Sequence, residues 1–231
     1  DVLQAAAHRL GLGQPTGIEI PGERGGFIPD RYWKQATFKE PWQQGETLVA
    51  AIGQGYILAT PLQLCVLAAR IASGMQVVPR IVHSVGAQKL PRDPVEPLGI
   101  SDEALAAVRH GMFGATNEPG GTAFSWRITD PTLAMAGKTG TAQVRVITKE
   151  ERLTGVRSNE SLPWALRDHG LYIAFAPADK PRYACAVIIE HGSVAAHPQV
   201  QVARDALAYC QKRDVAGRAT AYPQTSADAS L

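Results

Sequence analysis

Residues 171–190, LYIAFAPADKPRYACAVIIE, carry the clearest strand pattern of the chain. Positions 171–175 are apolar throughout, and in positions 183–190 two sets of apolar side chains alternate with the period of two that is typical of a β-strand. Positions 177–181, between them, contain two prolines and an aspartate, which favour a turn. The segment predicts two antiparallel strands joined by a hairpin loop in the core of the protein.

Two helices are predicted to cover this sheet. Thr60 offers an N-cap hydroxyl, Pro61 fits the first helical turn and Gly74 provides a stop, which together predict a helix over 61–73. Its apolar residues cover nearly the whole circumference, which indicates a helix buried on most sides. A second, amphipathic helix is predicted over 199–212 by four apolar residues at helical spacing: Val200, Ala203, Leu207 and Cys210.

The patterns in the first half of the chain are weaker. Residues 1–46 are rich in glycine and proline, and they predict a short helix end followed by turns and short extended pieces. Prolines surround residues 76–82, so this segment is predicted to form an edge strand at most. Ser101, followed by two acidic residues, predicts the start of a helix that runs to about residue 113.

In the second half, strands are predicted at 133–137 and 141–146, with a Lys-Thr-Gly tripeptide at 138–140 between them. Residues 147–169 are polar and predict irregular chain. Residues 213–231 are rich in alanine, serine and threonine, and we expect a disordered tail there.

Composition excludes several classes of protein. The 231 residues are 45% hydrophobic and 19% charged, and a net charge of +2 is too small for a nucleic-acid-binding surface. The longest apolar stretch, 62–69, is interrupted by Gln63 and is shorter than the roughly 18 residues that cross a bilayer. No residues at metal-ligand spacing are visible. The three cysteines lie in apolar patterns and are predicted to be buried thiols: Cys65, Cys185 and Cys210.

The sharpest chemical motif is residues 136–141, AGKTGT. Lys138 supplies positive charge, and Thr139 and Thr141 supply hydrogen-bond donors that suit a carboxylate. Gly140 lacks the side chain that would keep a ligand away from the backbone. A tripeptide of this kind also arises by chance, and the alternative is an exposed edge-strand lysine followed by a turn. The surrounding sequence has to decide between the two.

That sequence resembles a known family. KTGTAQ is preceded by GETLVAAIGQGYILATPLQL and NEPGGTAF, and it is followed by the strand pair and the C-terminal helix. In this order the segments resemble the C-terminal part of the transpeptidase domain of class B penicillin-binding proteins. TGIEIPGE near the start and LRDHGLYIAFAP resemble the elongation-specific type, penicillin-binding protein 2. The resemblance covers residues 1 to about 212.

The resemblance implies a serine acyl transfer. In the family a serine attacks the D-Ala-D-Ala end of a peptidoglycan stem peptide, D-Ala leaves, and the acyl group passes to an amine on a neighbouring strand. β-Lactams acylate the same serine. Lys138 and Thr141 would be catalytic, because Lys138 supplies positive charge near the nucleophile and the Thr141 N–H forms half of an oxyanion hole. Thr139, Gly140 and Thr141 would bind the substrate, and the two threonines would hold its terminal carboxylate. The resemblance implies no cofactor and no metal.

The nucleophile of the family is not found in this sequence. No serine has a lysine three residues later, and the nearest imitation, residues 36–39, has alanine in place of serine. Ser101-Asp102-Glu103 imitates the family's SxN signature, but it has glutamate in place of asparagine. In the family both missing signatures lie upstream of the segment that resembles residues 1–20. We therefore expect that this chain, which starts at Asp1 rather than Met, is the latter part of a catalytic domain and inactive by itself.

Arg167, Asp168 and His169 precede a predicted core strand. They could form a charge network beside the cleft, or simply a solvated loop end. If they act on the site, they do so by supporting the residues that touch the substrate. Both interpretations stay open on the sequence.

The predicted fold is α/β (α+β), with an antiparallel sheet flanked by helices as in penicillin-binding protein transpeptidases and β-lactamases, incomplete at the N-terminal side. The KTG strand would lie near the cleft edge, with the C-terminal helix on one sheet face and the 61–73 helix on the other. Residues 1–212 would form the C-terminal part of the transpeptidase domain, and 213–231 the tail.

For the intact protein the resemblance implies peptidoglycan D,D-transpeptidation in cell-wall elongation, at the periplasmic face of the inner membrane. Its implied partners are stem peptides, β-lactams and a shape-determining glycosyltransferase of the elongation machinery. No nucleic acid is implied, and membrane contact is implied only through an N-terminal anchor absent here.

Two alternatives remain. A D,D-carboxypeptidase or β-lactamase would use water as acceptor, although residues 18–23 and 117–122 favour class B. A non-catalytic module would bind muropeptide or penicillin without turnover.

Overall fold

A computed structural model describes residues 2–91, 94–215 and 217. Within these residues the chain forms seven α-helices, a small hairpin and a three-stranded antiparallel sheet. The helices are α1 (Val2–Arg9), α2 (Arg31–Phe38), α3 (Gln44–Ala51), α4 (Pro61–Ser73), α5 (Asp102–Asn117), α6 (Lys149–Thr154) and α7 (Pro198–Arg213). The strands are β1 (Ser84–Val85), β2 (Gln88–Lys89), β3 (Ala136–Ala142), β4 (His169–Ala176) and β5 (Tyr183–Ile189).

The main sheet has β4 in its centre, β5 on one side and β3 on the other. Its register places Lys138 opposite Ile173 and Thr141 opposite Gly170, and the Tyr172 position pairs with Val187 on β5. The predicted strands 171–175 and 183–190 are thus confirmed as β4 and β5. Strand β3, which carries the KTG residues, pairs with β4 on one side only, so within the described part of the chain its outer edge carries no further strand.

Helices cover both faces of the sheet, as predicted. One face packs against α7 through a buried cluster made of Tyr172, Ala174, Ala176, Val200, Ala203 and Leu207. The other packs against α4 and α5 through Ile71, Ala72, Met112, Ala136 and Phe175. Alternate residues of β4 serve the two clusters, because successive side chains of a strand point to opposite faces. The antiparallel α/β (α+β) fold is confirmed.

The two flanking helices have the predicted bounds to within a residue. The Thr60 hydroxyl accepts a hydrogen bond from the Gln63 N–H at 3.2 Å, and the Gln63 side chain accepts one from the Thr60 N–H at 2.9 Å. This reciprocal cap begins α4. Gly74, with φ of +75°, ends it in the left-handed conformation. The C-terminal helix predicted over 199–212 is α7.

The prediction of two strands on either side of the KTG tripeptide is wrong, because Lys138, Thr139 and Gly140 lie inside the single strand β3. On the N-terminal side, the Asp130 carboxylate caps a 3-10 turn at Pro131–Leu133. On the C-terminal side, the Val144 N–H donates to the Asp168 carboxylate at 2.9 Å instead of continuing the ladder. Both contacts keep the flanking residues out of the sheet.

Other boundaries also differ from the predictions. No strand forms at 76–82. Met75, just before this segment, makes an isolated bridge to Pro97, and the hairpin β1–β2 follows the segment. The helix predicted at 101–113 continues to Asn117. The turn-rich assignment of 1–46 missed α2, whose N-terminus is capped by Asp30, and the start of α3.

The segment 147–169 is not wholly irregular, since Thr148 caps α6 within it. The three cysteines are free and only partly buried, which corrects the prediction of buried thiols. Burial nevertheless raises the pKa of Cys185 to about 12. The disordered tail predicted at 213–231 lies outside the described residues apart from 213–215 and 217. Among the described helices, none combines the length and the hydrophobicity needed to cross a bilayer.

Candidate active site on the edge strand

The outer edge of β3 presents backbone groups to the surroundings. The carbonyl of Thr139 accepts a hydrogen bond from the Lys138 ammonium at 2.9 Å, and the carbonyl of Thr141 accepts one from the side-chain amide of Gln54 at 3.0 Å. Both carbonyls therefore point away from β4. In an antiparallel strand the N–H and C=O of one residue point to the same side. The N–H of Thr141 thus faces the open edge, where an oxyanion donor would be required.

Four hydroxyl groups lie along one face of this strand. Thr139 and Thr141 are two residues apart and share that face. The Thr139 Oγ1 lies 3.1 Å from the Thr122 Oγ1, and the Thr141 Oγ1 lies 3.3 Å from the Ser193 Oγ. We call Thr122, Thr139, Thr141 and Ser193 the hydroxyl row. Hydroxyl groups can donate to a carboxylate, so the row suits an anionic end group.

Lys138 adds positive charge beside the hydroxyl row. Its side chain is exposed, and its Nζ lies 3.5 Å from the Thr139 Oγ1 as well as donating to the Thr139 carbonyl. An exposed ammonium attracts a carboxylate by Coulomb interaction, and a substrate that displaces water would strengthen that attraction. The strand thus places a cation, hydroxyl donors and an outward N–H within four consecutive residues.

Tyr172 and Thr116 hold the N-terminal half of β3 in place. The Tyr172 hydroxyl lies 2.9 Å from the Thr116 Oγ1, which also accepts a hydrogen bond from the Gly137 N–H at 3.1 Å. A Cβ at Gly137 would overlap the Tyr172 Oη, so only glycine fits there. Desolvation raises the pKa of Tyr172 well above its ordinary value, and the buried phenol stays neutral. This contact fixes β3 immediately before Lys138.

Gly140 differs from Gly137 in its surroundings. A Cβ at Gly140 would meet only the Leu171 Cβ, at an ordinary contact distance of 3.5 Å. Gly140 is exposed, and its backbone needs no left-handed conformation. The fold therefore accepts alanine at this position. What glycine preserves here is open space beside Lys138, where a ligand can approach the backbone.

Arg167, Asp168 and His169 do not touch Lys138. His169 pairs with Ala142 at the end of β3, and the other two residues precede it. The Arg167 guanidinium donates to the Leu162 carbonyl at 3.0 Å, and the Asp168 carboxylate accepts the Val144 N–H. These contacts tie loops together through the backbone rather than forming ion pairs with one another. Residues 167–169 thus lie beside the C-terminal end of β3, beyond Thr141 of the hydroxyl row.

Gln54 contacts the candidate site, and the sequence did not indicate this. It lies between Gly53 and Gly55, whose φ angles of +77° and +79° are in the left-handed region and form a turn there. The turn follows α3 and directs the Gln54 amide to the Thr141 carbonyl. Thr122 and Ser193 were likewise not predicted. The one sequence feature that could have indicated Gln54 is its position as a polar residue between two glycines.

Among the residues that the structure describes, the outer edge of β3 is an open surface. Two hollows lie elsewhere, among α1, α2 and α3, and no residue of β3 lines either of them. Beside the Gln54 turn, three large apolar side chains are strongly exposed: Leu48 at 73%, Ile52 at 76% and Leu58 at 63%. An enclosed ligand site at β3 would need a further wall, and the adjacent surface is apolar enough to pack against one.

Comparison with known proteins identifies the family. The model of the penicillin-binding protein transpeptidase domain matches residues 1–208. The peptidoglycan D,D-transpeptidase MrdA of Escherichia coli K12 is 40% identical over 195 residues, which are 80% of this chain and 29% of that protein. The MrdA of Salmonella typhimurium strain SL1344 is 36% identical over 199 residues, covering 83% of this chain and 31% of that protein.

Solved structures agree with this result. Penicillin-binding protein 2 of Pseudomonas aeruginosa, in complex with WCK 5153, superposes with a TM-score of 0.70 at 33% identity, covering 87% of this chain and 40% of that one. Penicillin-binding protein 2 of Helicobacter pylori, in complex with MreC, gives a TM-score of 0.72 at 27% identity, covering 91% of this chain and 37% of that one.

The chain belongs to the penicillin-binding protein transpeptidase family. The resemblance to penicillin-binding protein 2 that the sequence suggested is confirmed by these relatives. The chain spans about a third or less of the length of the curated relatives it matches, 29% of the E. coli protein and 31% of the Salmonella protein.

Proposed function

We propose that this chain supplies the substrate-binding edge strand of a peptidoglycan D,D-transpeptidase. The observation that carries the proposal is the arrangement on β3, where Lys138, the outward N–H of Thr141 and the hydroxyl row lie side by side. A peptide that ends in a carboxylate can bind there as an added strand, with its end group on the hydroxyls. The MrdA relatives are named for this activity.

The reaction would begin when a serine oxygen from an SxxK segment attacks the carbonyl carbon of the penultimate D-Ala. The new C–O bond forms a tetrahedral oxyanion, which the Thr141 N–H stabilises as one of two donors. The C–N bond then breaks, and D-Ala leaves after its nitrogen takes up the proton that the serine released. An amine of a second stem peptide then attacks the ester carbonyl carbon. The new C–N bond forms the cross-link, the C–O bond to the serine breaks, and the serine oxygen takes up the proton that the amine loses.

Each KTG residue has a separate role in this proposal. Lys138 holds positive charge near the nucleophile and the developing oxyanion. Thr139 and Thr141 bind the terminal carboxylate through their hydroxyls, and Gly140 leaves room for the ligand backbone. Arg167, Asp168 and His169 support the loops around β3 rather than touching the ligand. A β-lactam would bind along the same edge of β3 and acylate the same serine.

The nucleophile has to come from another segment, because no serine of the 231 residues is followed by lysine at the third position. We propose that this segment packs on the apolar surface of Leu48, Ile52 and Leu58. Ile52 belongs to the same turn as Gln54, which contacts β3, so a segment on this surface would lie next to the open edge. It would also complete the missing wall of the site.

For the intact protein we propose a role in cell-wall elongation at the periplasmic face of the inner membrane, without cofactor or nucleic acid. The H. pylori neighbour was solved with MreC, and this supports an assembly of the elongation type. A shape-determining glycosyltransferase would be a further partner. The missing SxxK signature favours a second candidate, a module that binds muropeptide or penicillin without turnover.

Labelling with fluorescent penicillin distinguishes the two candidates. The 231-residue chain alone should give no covalent band. A chimera in which residues 1–208 replace the matching segment of the E. coli relative, hereafter the E. coli chimera, contains the relative's nucleophile and should be labelled. A band with the chain alone would contradict the missing nucleophile. A folded E. coli chimera that is never labelled would favour the binding module.

A further inference from the structure

We propose that Ser193 is a positioning residue that orients the Thr141 hydroxyl toward the carboxylate of the bound peptide. This inference rests on the proposed function and adds a residue outside the KTG motif. The Ser193 Oγ lies 3.3 Å from the Thr141 Oγ1, 52 residues away in the chain. Ser193 is half-buried on the loop after β5, whereas Thr141 is exposed on the strand.

A glycine on β4 allows the loop after β5 to lie close to β3. Gly170 is the cross-strand partner of Thr141. A Cβ at Gly170 would lie only 2.9 Å from the Gly192 carbonyl oxygen and 2.9 Å from the Gln199 Oε1. The loop backbone therefore occupies the space that a side chain would fill. Because Gly192 is adjacent to Ser193, the missing side chain at Gly170 places the Ser193 hydroxyl beside Thr141.

Three hydrogen bonds to residues 167–169 hold the loop in this place. The Ser193 N–H donates to the Asp168 carbonyl at 3.0 Å. The His191 Nδ1–H donates to the Arg167 carbonyl at 2.8 Å, and the His191 backbone N–H donates to the His169 Nδ1 at 2.9 Å. His191 has φ of +54°, an uncommon conformation for a residue with a side chain. Through these contacts, residues 167–169 support the loop that carries Ser193.

The chemistry follows from the direction of the hydroxyl protons. When the Ser193 hydroxyl donates to the Thr141 Oγ1, the Thr141 proton is left free for the ligand. A hydroxyl that accepts one hydrogen bond donates a second one more strongly, because hydrogen bonds in a chain polarise one another. Ser193 therefore acts on the ligand through Thr141, and its effect depends on the negative charge of the ligand's end group.

The test compares two ligands that differ only at this end group. The 231-residue chain is titrated, with NMR detection, with diacetyl-L-Lys-D-Ala-D-Ala and with its C-terminal carboxamide. The unaltered chain should prefer the carboxylate. Ser193→Ala should weaken carboxylate binding by about fivefold and carboxamide binding by less than twofold. Ser193→Thr, which keeps the hydroxyl, should restore the preference, and Ser84→Ala on the distant β1–β2 hairpin should change neither affinity.

A second variant moves the loop without removing the hydroxyl. Gly170→Ala should displace Gly192 and reduce the carboxylate preference as Ser193→Ala does, while the spectrum retains the dispersion of a folded protein. Equal loss for both ligands, or no loss with Ser193→Ala, would overturn the role of Ser193 and leave the proposed function intact. An unaltered chain that does not distinguish carboxylate from carboxamide would contradict the proposed ligand site and the role of Ser193 together.

Discussion

The side-chain amide of Gln54 donates a hydrogen bond to the backbone carbonyl of Thr141 across 3.0 Å, although the two residues are 87 positions apart. The contact joins the turn after α3 to the outer edge of β3. It also holds the carbonyl of the residue whose N–H is proposed to stabilise the oxyanion. The apolar surface around Leu48 and Ile52 is thereby kept next to the edge strand.

Replacement of Gln54 should weaken this junction. Gln54→Ala removes one hydrogen bond, and we expect the free energy of unfolding of the chain to fall by about 1 kcal/mol. Gln54→Glu should cost more, because a carboxylate oxygen would then face the Thr141 carbonyl oxygen without a proton between them. Urea denaturation measures both effects, with Gln88→Ala on the exposed hairpin as control. A Glu variant as stable as the unaltered chain would contradict the contact.

The two glycines of AGKTG should respond differently to alanine. Gly137→Ala places a methyl group against the buried Tyr172 hydroxyl and should reduce the free energy of unfolding by about 2 kcal/mol. Gly140→Ala meets only an ordinary contact and should change stability by no more than about 0.5 kcal/mol. In the E. coli chimera, however, Gly140→Ala should slow acylation. Equal effects of the two substitutions on stability would show that Gly140 is needed for the fold rather than for the ligand.

Lys138 should matter for the reaction and not for the fold. Its side chain is exposed, so Lys138→Ala should leave the melting temperature of the E. coli chimera nearly unchanged. Acylation by fluorescent penicillin should slow at least tenfold, which corresponds to a loss of about 1.4 kcal/mol of transition-state stabilisation. Lys89→Ala, an exposed lysine on β2, is the matched control. Unchanged acylation in the Lys138 variant would remove this residue from the site.

The connection between β3 and β4 contains a carboxylate with a strongly shifted pKa. The Arg145 guanidinium donates to Glu151 at 2.7 Å and lowers the pKa of Glu151 from its ordinary 4.5 to about 2. Because the folded-state pKa is the lower one, the contribution of this pair is present above pH 4.5 and is lost as the pH falls toward 2. Arg145→Ala should raise the pKa of Glu151 toward 4.5, as followed by NMR of the side-chain carboxyl. Arg152→Ala should not, and a Glu151 that titrates normally in the unaltered chain would contradict the pairing.

The sequence predicted those elements whose local pattern is strong. Strands β4 and β5 and helices α4 and α7 have apolar periodicity or paired caps, and these signals do not depend on the rest of the fold. Helices α2 and α3 were missed because each has only eight residues between glycines and prolines. Strand β3 was divided wrongly, because glycine and threonine carry little strand signal and pairing with β4 decides its extent.

The residues of the candidate site also divide into those that the sequence predicted and those that it did not. Residues Lys138–Thr141 form one short motif, which the sequence reveals directly. Thr122, Ser193 and Gln54 come from three separate loops, and only the packed sheet brings them to β3. A residue whose role depends on contacts between distant loops leaves no local pattern.

The most direct test of the central claim is the acylation rate of the E. coli chimera with Thr141→Ala and with Thr141→Pro. Both variants lose the hydroxyl, but only proline also removes the N–H. Because that N–H faces the open edge, the ladder to β4 loses no hydrogen bond, and proline is tolerated at such edge positions. We expect the proline variant to react with fluorescent penicillin at least about 100-fold more slowly than the alanine variant, the effect of losing one oxyanion donor. Equal rates for the two variants would contradict the assignment of β3 as the catalytic edge strand.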